Sequence, residues 1–578
     1  MRSLMYLNKY LLKYKSKLCL GILFVILSNI FSLLPAKFIG DAFRVIELFT
    51  TNTKSINYNK ELLQLVLFIF LAVCIKGLFM FLMRQTIIVV SRKIEFDLKN
   101  EIFNQYQSLS TSFFRSNQKG DILNRISEDV SKVRMYLGPA ILYTLNLVFL
   151  LSFVIFRMVY ISPELTLWVL IPLPLLSFLI YKISSLINLR SEIIQQKLAA
   201  LTNITQQFVS SIKIIKSSNV QKDSLVEFND YSTDYLKSQL RLIKINSLFF
   251  PLMILLVGAS TLLTIWAGKK LVFLGEIDIG VIAEFIIYVN MLTWPVTSIG
   301  WVTSIVQTAA ASQKRINEFL IEKNDIISKK FLKKKINGNI SFKNVSFIQD
   351  DKNLLNDINF EINSGEFLGI IGSIGSGKSL LLKLVCRFLD VNKGEILIDD
   401  EPIKNFDVNF LRSNISFATQ DSFLFSDTIL NNLLFGKSNA DNSEISNLLE
   451  LVCINKDILK FKDGIETKIG ERGVTLSGGQ KQRLSLARAL LKKSNILLID
   501  DSLSNIDVEN EKKIISNIYK LKNIKTTLIV SNRVSSITKC DKIIVLNNGE
   551  IIEQGNHEDL IKLNGYYKKL YDLQSMQF

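Results

Sequence analysis

The stretch EFLGIIGSIGSGKSLLLKLVCRFL, residues 366–389, carries the decision about fold. FLGII is a short apolar run of the kind that forms a buried strand. The chain then passes through GSIGSGKS, residues 372–379, into apolar residues at helical spacing. Glycines at 372, 375 and 377 let the main chain turn tightly, so that its N–H groups converge. Lys378 adds a positive charge there, and the Ser379 hydroxyl is suited to ligate Mg²⁺. Strand, glycine turn and helix in this order specify a cradle for phosphate oxygens. Its candidate residues are Gly372, Ser373, Ile374, Gly375, Ser376, Gly377, Lys378, Ser379 and Leu380. From about Gly338 onward short apolar strands alternate with helical segments, so the cradle belongs to an α/β domain.

Upstream of that domain the chain has a different character. Across all 578 residues 48% are hydrophobic, and mean hydropathy is +0.28. The apolar residues cluster in six runs: 18–36, 62–83 (interrupted only by Lys76), 137–156, 165–181, 247–268 and 285–313. A membrane-crossing helix needs about 20 apolar residues, and six such runs in series predict a six-span membrane domain. The first run is too long for a cleaved leader and lacks a small-residue cleavage site after it. No peptidase-like segment precedes it, so peptide processing is not expected. The net charge of +17 fits basic cytoplasmic loops better than nucleic-acid binding, because the lysines and arginines flank the apolar runs. Five cysteines without a CxxC pair read as free thiols, and a single histidine, His557, argues against zinc or a histidine dyad.

Orientation follows from the basic segments 2–17, 84–135 and 182–244, which predict cytoplasmic termini and two long cytoplasmic connections. These connections read as helical extensions of the spans. Residues 2–13 read as an amphipathic helix at the membrane surface. Lys76, Arg84 and Glu284 lie in or beside spans, where a charge marks either a transport path or a snorkelling side chain. The expected domains are therefore a membrane domain over 1–317, a lysine-rich linker over 318–338 and the α/β domain over 339–578.

Further motifs identify the α/β domain. LSGGQ, residues 476–480, precedes KQRLSLARAL and then ILLIDDSLSNID, residues 496–507, an apolar strand ending in Asp500 and Asp501. Together with the glycine turn, these resemble the ATP-binding cassette (ABC) family, and their order resembles an exporter half-transporter. The resemblance covers nearly the whole chain. It implies six membrane helices followed by a P-loop ABC ATPase. FATQD, 417–421, resembles the family's Q-loop, with Gln420 directed at Mg²⁺. IGERG, 469–473, resembles the X-loop, and SNID, 504–507, the D-loop. SFFRSNQKGDILNR, 112–125, and SSIKIIKSS, 210–218, resemble the two coupling segments. The implied cofactors are ATP and Mg²⁺, with Ser379, Gln420 and Asp500 as metal-side residues. Two chains are implied to clamp ATP head to tail, with Ser477, Gly478, Gly479 and Gln480 of one chain meeting the nucleotide held by the other.

Three positions depart from the family pattern. Asp501 stands where a catalytic glutamate is usual, which shortens the reach by about 1.5 Å. In VSNR, 530–533, Asn532 replaces the switch histidine; it donates a hydrogen bond but carries no proton. Gln349 falls where an adenine-stacking aromatic is expected, with Phe347 two residues earlier directed to the core. The chain's own site is thus expected to bind MgATP and cleave it slowly, while its intact LSGGQ serves a partner. That combination resembles the degenerate subunit of a heterodimeric bacterial exporter. The heterodimer is preferred; a homodimer with two slow sites and a silent ATP-binding regulator stand as alternatives. The expected cargo is amphipathic, drug-like or lipid, the expected place the cell membrane (the inner membrane of a bacterium), and no nucleic acid is expected as a partner.

Overall fold

The computed structural model describes residues 2–51, 58–349, 351–470, 473–521 and 523–575. They form two compact units, one of Met1–Gln107 with Lys119–Glu322, the other of Ser108–Gln118 with Lys323–Phe578.

The first unit is helical. Among the described residues five helices are long and apolar enough to cross a membrane: Lys15–Leu48, Tyr58–Ser108, Lys119–Ile161, Gln221–Phe273 and Ile279–Ile321. They carry five of the six expected spans and, as anticipated, run well past the apolar segments. The fourth run, 165–181, is not among these five. Over 165–181 the chain is not one helix: it breaks at Ile171 into Pro163–Leu170 and Pro172–Ser210. Pro172 has no N–H to give the preceding turn, so it restarts the helix at a first-turn position, where that loss is tolerated. The last helix continues to Ile321, four residues beyond the expected domain end.

Several apolar side chains of the second helix point outward, with Leu63 70%, Phe70 68% and Phe81 58% exposed. Such a surface is stable only in apolar surroundings. Inside the unit, close packing depends on small residues. A Cβ on Gly280 would lie 2.1 Å from the Gly40 carbonyl oxygen, so the first and last long helices touch backbone to backbone there. Glu284 does not snorkel. It is buried, and it accepts hydrogen bonds from Tyr288 Oη at 2.6 Å and Arg157 Nε at 3.3 Å. Arg84 is exposed and Lys76 half-buried. The amphipathic segment 2–13 also finds protein partners: Leu4, Leu7 and Tyr10 are buried, and Lys9 and Lys13 pair with Glu101 and Asp97 at 2.7 Å each.

The second unit contains, among its described residues, two sheets. β1 (Ile340–Gln349), β2 (Lys352–Ile362), β4 (Lys393–Ile398) and β5 (Glu401–Pro402) form an antiparallel sheet in the order β2-β1-β4-β5. The other sheet has the order β10-β9-β3-β8-β7-β6, with β3 (Phe367–Gly372), β6 (Ile415–Ala418), β7 (Ile496–Asp500), β8 (Thr526–Val530), β9 (Lys542–Asn547) and β10 (Glu550–Gly555). Its strands are parallel except for β10 at the edge. Strands ILLID and TTLIV are buried at every position, as a sheet covered on both faces requires. One core joins Leu381, Leu382 and Leu384 to β1 and β2. A second joins Leu484, Leu486 and Ile514 to the far face of the parallel sheet. The carboxyl ends of β3, β7 and β8 therefore share one rim, where an open parallel sheet offers a crevice.

Candidate functional site

The glycine turn leaves β3 at that rim. A Cβ on Gly372 would lie 1.9 Å from the Leu546 carbonyl oxygen, so only glycine lets the turn pass so close to β9. Gly377 adopts φ +98°, a left-handed conformation that glycine takes without strain, and it starts the helix Lys378–Val385. Lys378 is buried and folds back, with Nζ donating to the carbonyls of Gly372 at 2.7 Å and Ser373 at 2.8 Å. Burial lowers its pKa, against the pull of Asp501 and Asp500. Ser376 is 2% exposed, and its hydroxyl is a buried polar atom without a hydrogen-bond partner. An orphan of this kind calls for a ligand oxygen or a water.

Parallel pairing of β7 with β8 matches Asp500 with Val530, which sets the two carboxylates beside the residues after β8. Ser379 Oγ donates to Asp500 Oδ1 at 2.6 Å. Asp500 is 3% exposed; burial raises its pKa while the Ser379 bond opposes the rise. Asp501 has φ +44°, and its N–H donates to the Val530 carbonyl at 2.9 Å. Asn532 Nδ2 donates to Asp501 Oδ2 at 2.9 Å. Burial raises the pKa of Asp501 as well, with the Asn532 main chain and side chain pulling the other way.

One pocket of about 360 Å³ gathers most of the expected residues. It is lined by residues 374–380 together with Gln420, Asp501, Asn532 and Gln349. Gly372 and Ser373 stay just behind it as carbonyls held by Lys378, and Asp500 reaches it through Ser379. Phe347 is buried, as anticipated, leaving Gln349 at the pocket. The arrangement fits a triphosphate with its magnesium. The glycine turn is a cradle that side chains would fill, the Ser376 hydroxyl is unpartnered, and Ser379 with Asp500 forms a pair of hard oxygen donors of the sort Mg²⁺ shares with phosphates.

Ser477, Gly478, Gly479 and Gln480 do not line this pocket. Ser477 caps the helix Gly478–Leu491: its Oγ accepts from Gln480 N at 3.3 Å, and Gln480 Oε1 accepts from Ser477 N at 3.0 Å. Ser477 and Gly478 are exposed, so the positive end of that helix faces outward. Gln482 binds the next motif, its Oε1 accepting from Asn505 N at 2.8 Å and its Nε2 donating to Ser504 Oγ at 3.2 Å. Arg533 holds the same loop through the Ser504 carbonyl at 2.7 Å and the Ile506 carbonyl at 3.0 Å. In the expected X-loop, Glu471 and Arg472 lie outside the described residues.

Sequence reasoning missed Arg115, Lys383 and Leu389, which also line the pocket. Arg115 arrives on the short helix Thr111–Ser116, whose Thr111 hydroxyl donates to the Phe388 carbonyl at 3.1 Å. No motif marks it. Only the packing of segment 108–118 into the second unit reveals it.

Two family models match the chain, one described as "ABC transporter transmembrane region" over residues 18–296, the other as "ABC transporter" over residues 355–504. Among curated proteins, "Multidrug resistance-like ATP-binding protein MdlA" of Buchnera aphidicola subsp. Schizaphis graminum is 35% identical, covering 100% of this chain and 99% of its own length. The protein of the same name in Escherichia coli is 32% identical over 84% of this chain and 83% of its own. Among solved structures, "Structure of a bacterial Atm1-family ABC exporter with ATP bound" superposes with a TM-score of 0.80 at 22% identity, covering 97% of this chain and 99% of that one.

Proposed function

Because the chain belongs to the ABC transporter family, we propose that it is one subunit of a dimeric, ATP-driven exporter for amphipathic cargo, set in the cell membrane with six spans and cytoplasmic termini. The observation that carries the dimeric reading is the separation of the signature residues from the pocket. Ser477 and Gly478 are presented at an exposed helix end, outside the site formed by residues 374–380. A helix N-terminus facing outward suits the γ-phosphate of a nucleotide held by a second chain.

In this reading the amides of the glycine turn and the Lys378 ammonium bind the phosphates. Ser379 and Asp500 would hold the metal, with Gln420 beside them; Mg²⁺ would supply neutralisation of the phosphate charge. Asp501 orients the attacking water, and Asn532 fixes the rotamer of Asp501 by its 2.9 Å bond. Asparagine cannot take up the proton or the positive charge that a histidine would. Misplacement by about 1 Å can cost a hydrolytic step about 10²-fold, so the shorter carboxylate makes this site slow. The intact signature then serves a faster site on a different subunit. Clamping and release of the two ATPase units drive the membrane helices between two openings. The names of the two MdlA relatives, and the apolar surfaces of the helices, support an amphipathic, drug-like or lipid cargo.

Ser477→Ala and Asp501→Asn, each in the reconstituted transporter, test the division of labour. Ser477→Ala should cut ATP turnover by about 10² or more, and Asp501→Asn should leave most of it. The reverse order would refute a slow own site. A homodimer with two slow sites is the second reading; it is favoured by the retention of a held carboxylate at 501.

A further inference from the structure

The N-terminal segment and the start of the helix Lys15–Leu48 run against the helix Tyr58–Ser108 in rungs four residues apart. Lys9 pairs with Glu101 and Lys13 with Asp97, at 2.7 Å each. Tyr6 and Tyr10 also donate to Glu101, and Tyr14 donates to Asp97. Residues four apart on a helix share a face, so the next rung is 17 against 93. It breaks the pattern: two ammonium groups, Lys17 and Lys93, meet closely enough to repel directly. One turn further the helices are pressed together. A Cβ on Gly21 would lie 2.6 Å from Ile87 Cγ1, so the main chains hold the two lysines side by side.

No side chain neutralises this rung. Lys17 and Lys93 are exposed, and among the described residues neither has an ion pair. The carboxylates nearby are already taken: Asp97 by Lys13, Glu101 by Lys9, and Glu95 by Arg92 and Lys99 at 3.0 Å each. Like charges held opposite one another are unfavourable, and a shared anion removes the cost. The rung also stands at a defined height. Lys17 immediately precedes the apolar run 18–36, and Lys93 comes three residues after the apolar stretch Ile87–Val90. That is the level of lipid headgroups, just outside a hydrocarbon core about 30 Å thick. Leu20 and Phe96, each three positions from one of the lysines, are exposed apolar side chains beside it.

We propose that Lys17 and Lys93 form a phosphate site for an anionic phospholipid, whose headgroup bridges the two ammonium groups and completes the ladder. A zwitterionic lipid also carries a phosphate, but its own cation would sit among the lysines. A free phosphate would gain nothing from Leu20, whereas an acyl chain would lie against it. The lipid thereby fastens the N-terminal segment to the second long helix, and the stability of the membrane unit depends on the charge of the bilayer.

The test is thermal unfolding of the full-length chain in nanodiscs of phosphatidylcholine alone, or of phosphatidylcholine and phosphatidylglycerol in equal parts. The anionic lipid should raise the melting temperature by about 2–4 °C, as a ligand of the native state does. Lys93→Glu supplies the missing carboxylate to Lys17. It should be as stable in phosphatidylcholine as the natural chain is in the mixture, and should gain nothing more from phosphatidylglycerol. Lys17→Gln should also lose the gain, so a poorly folded Lys93→Glu does not decide the matter. Lys15→Gln, which removes an exposed lysine off the rung, should keep it. No gain from phosphatidylglycerol, a gain that both rung variants retain, or one that Lys15→Gln loses equally would overturn the proposal. Inorganic phosphate added to the phosphatidylcholine discs separates the two sources of the anion: an equal gain there would overturn the lipid assignment, and no gain supports it.

Discussion

Lengthening the carboxylate at position 501 tests the slow-site reading at its chemical centre. Asp501→Glu adds one carbon–carbon bond, about 1.5 Å, to the side chain. The Asp501 N–H is anchored to the Val530 carbonyl at 2.9 Å, so the extra length is delivered to the carboxylate and not absorbed by the main chain. If misplacement by about 1 Å costs about 10²-fold, restored reach should return up to about 10² in the rate of the chemical step. Two structural terms work against the full gain. Asp501 sits at φ +44°, which aspartate tolerates better than glutamate, at a cost of about 1–2 kcal/mol in stability. The longer side chain must also re-aim or lose the 2.9 Å bond from Asn532, worth about 1 kcal/mol. The expected increase is therefore between about tenfold and about 10²-fold. The assay is single-turnover cleavage of labelled ATP by the full-length chain in nanodiscs, protein in excess, with nucleotide affinity measured alongside. A rate that stays the same or falls, at unchanged affinity, would refute the argument that reach limits this site.

Other perturbations probe the surrounding structure. Lys378→Ala removes the ammonium beside the glycine turn and should weaken nucleotide binding by at least about tenfold, as loss of a hydrogen bond to a charged group does; an unchanged dissociation constant in a filter-binding titration would count against its phosphate role. Ser379→Ala strips the 2.6 Å donor from buried Asp500 and should destabilise the ATPase unit by about 1–3 kcal/mol, read as a lower melting temperature, besides removing the magnesium dependence of binding. Burial raises the folded-state pKa of Asp501 above its unfolded value, so its favourable contribution is full only in acid and disappears as pH rises through the folded value. Asp501→Asn should accordingly raise the melting temperature of the nucleotide-free protein at pH 7, and the gain should vanish below the ordinary aspartate range; no gain at neutral pH would contradict the assigned burial cost. Gly280→Ala would set a methyl group 2.1 Å from the Gly40 carbonyl oxygen and force two long helices apart, costing about 1–3 kcal/mol in a thermal-stability assay of the membrane unit.

The sequence by itself determined the parts that depend on near neighbours. GSIGSGKS between a strand and a helix, LSGGQ at a helix start, and long apolar runs each encode their local conformation in consecutive residues, so spacing alone sufficed to read them. In the fourth run the helix boundary at Ile171, where Pro172 opens a new helix, is a detail that counting apolar residues does not show. What the tertiary structure decided lies between distant residues. The β7–β8 register brings Asn532 onto Asp501 across 31 positions. Packing of segment 108–118 carries Arg115 to the pocket. The physical reason is that strand and helix signals are short-range regularities of side-chain spacing. Which charges meet is fixed by sheet register and by interlocking of cores, and these exist only once the chain has closed on itself.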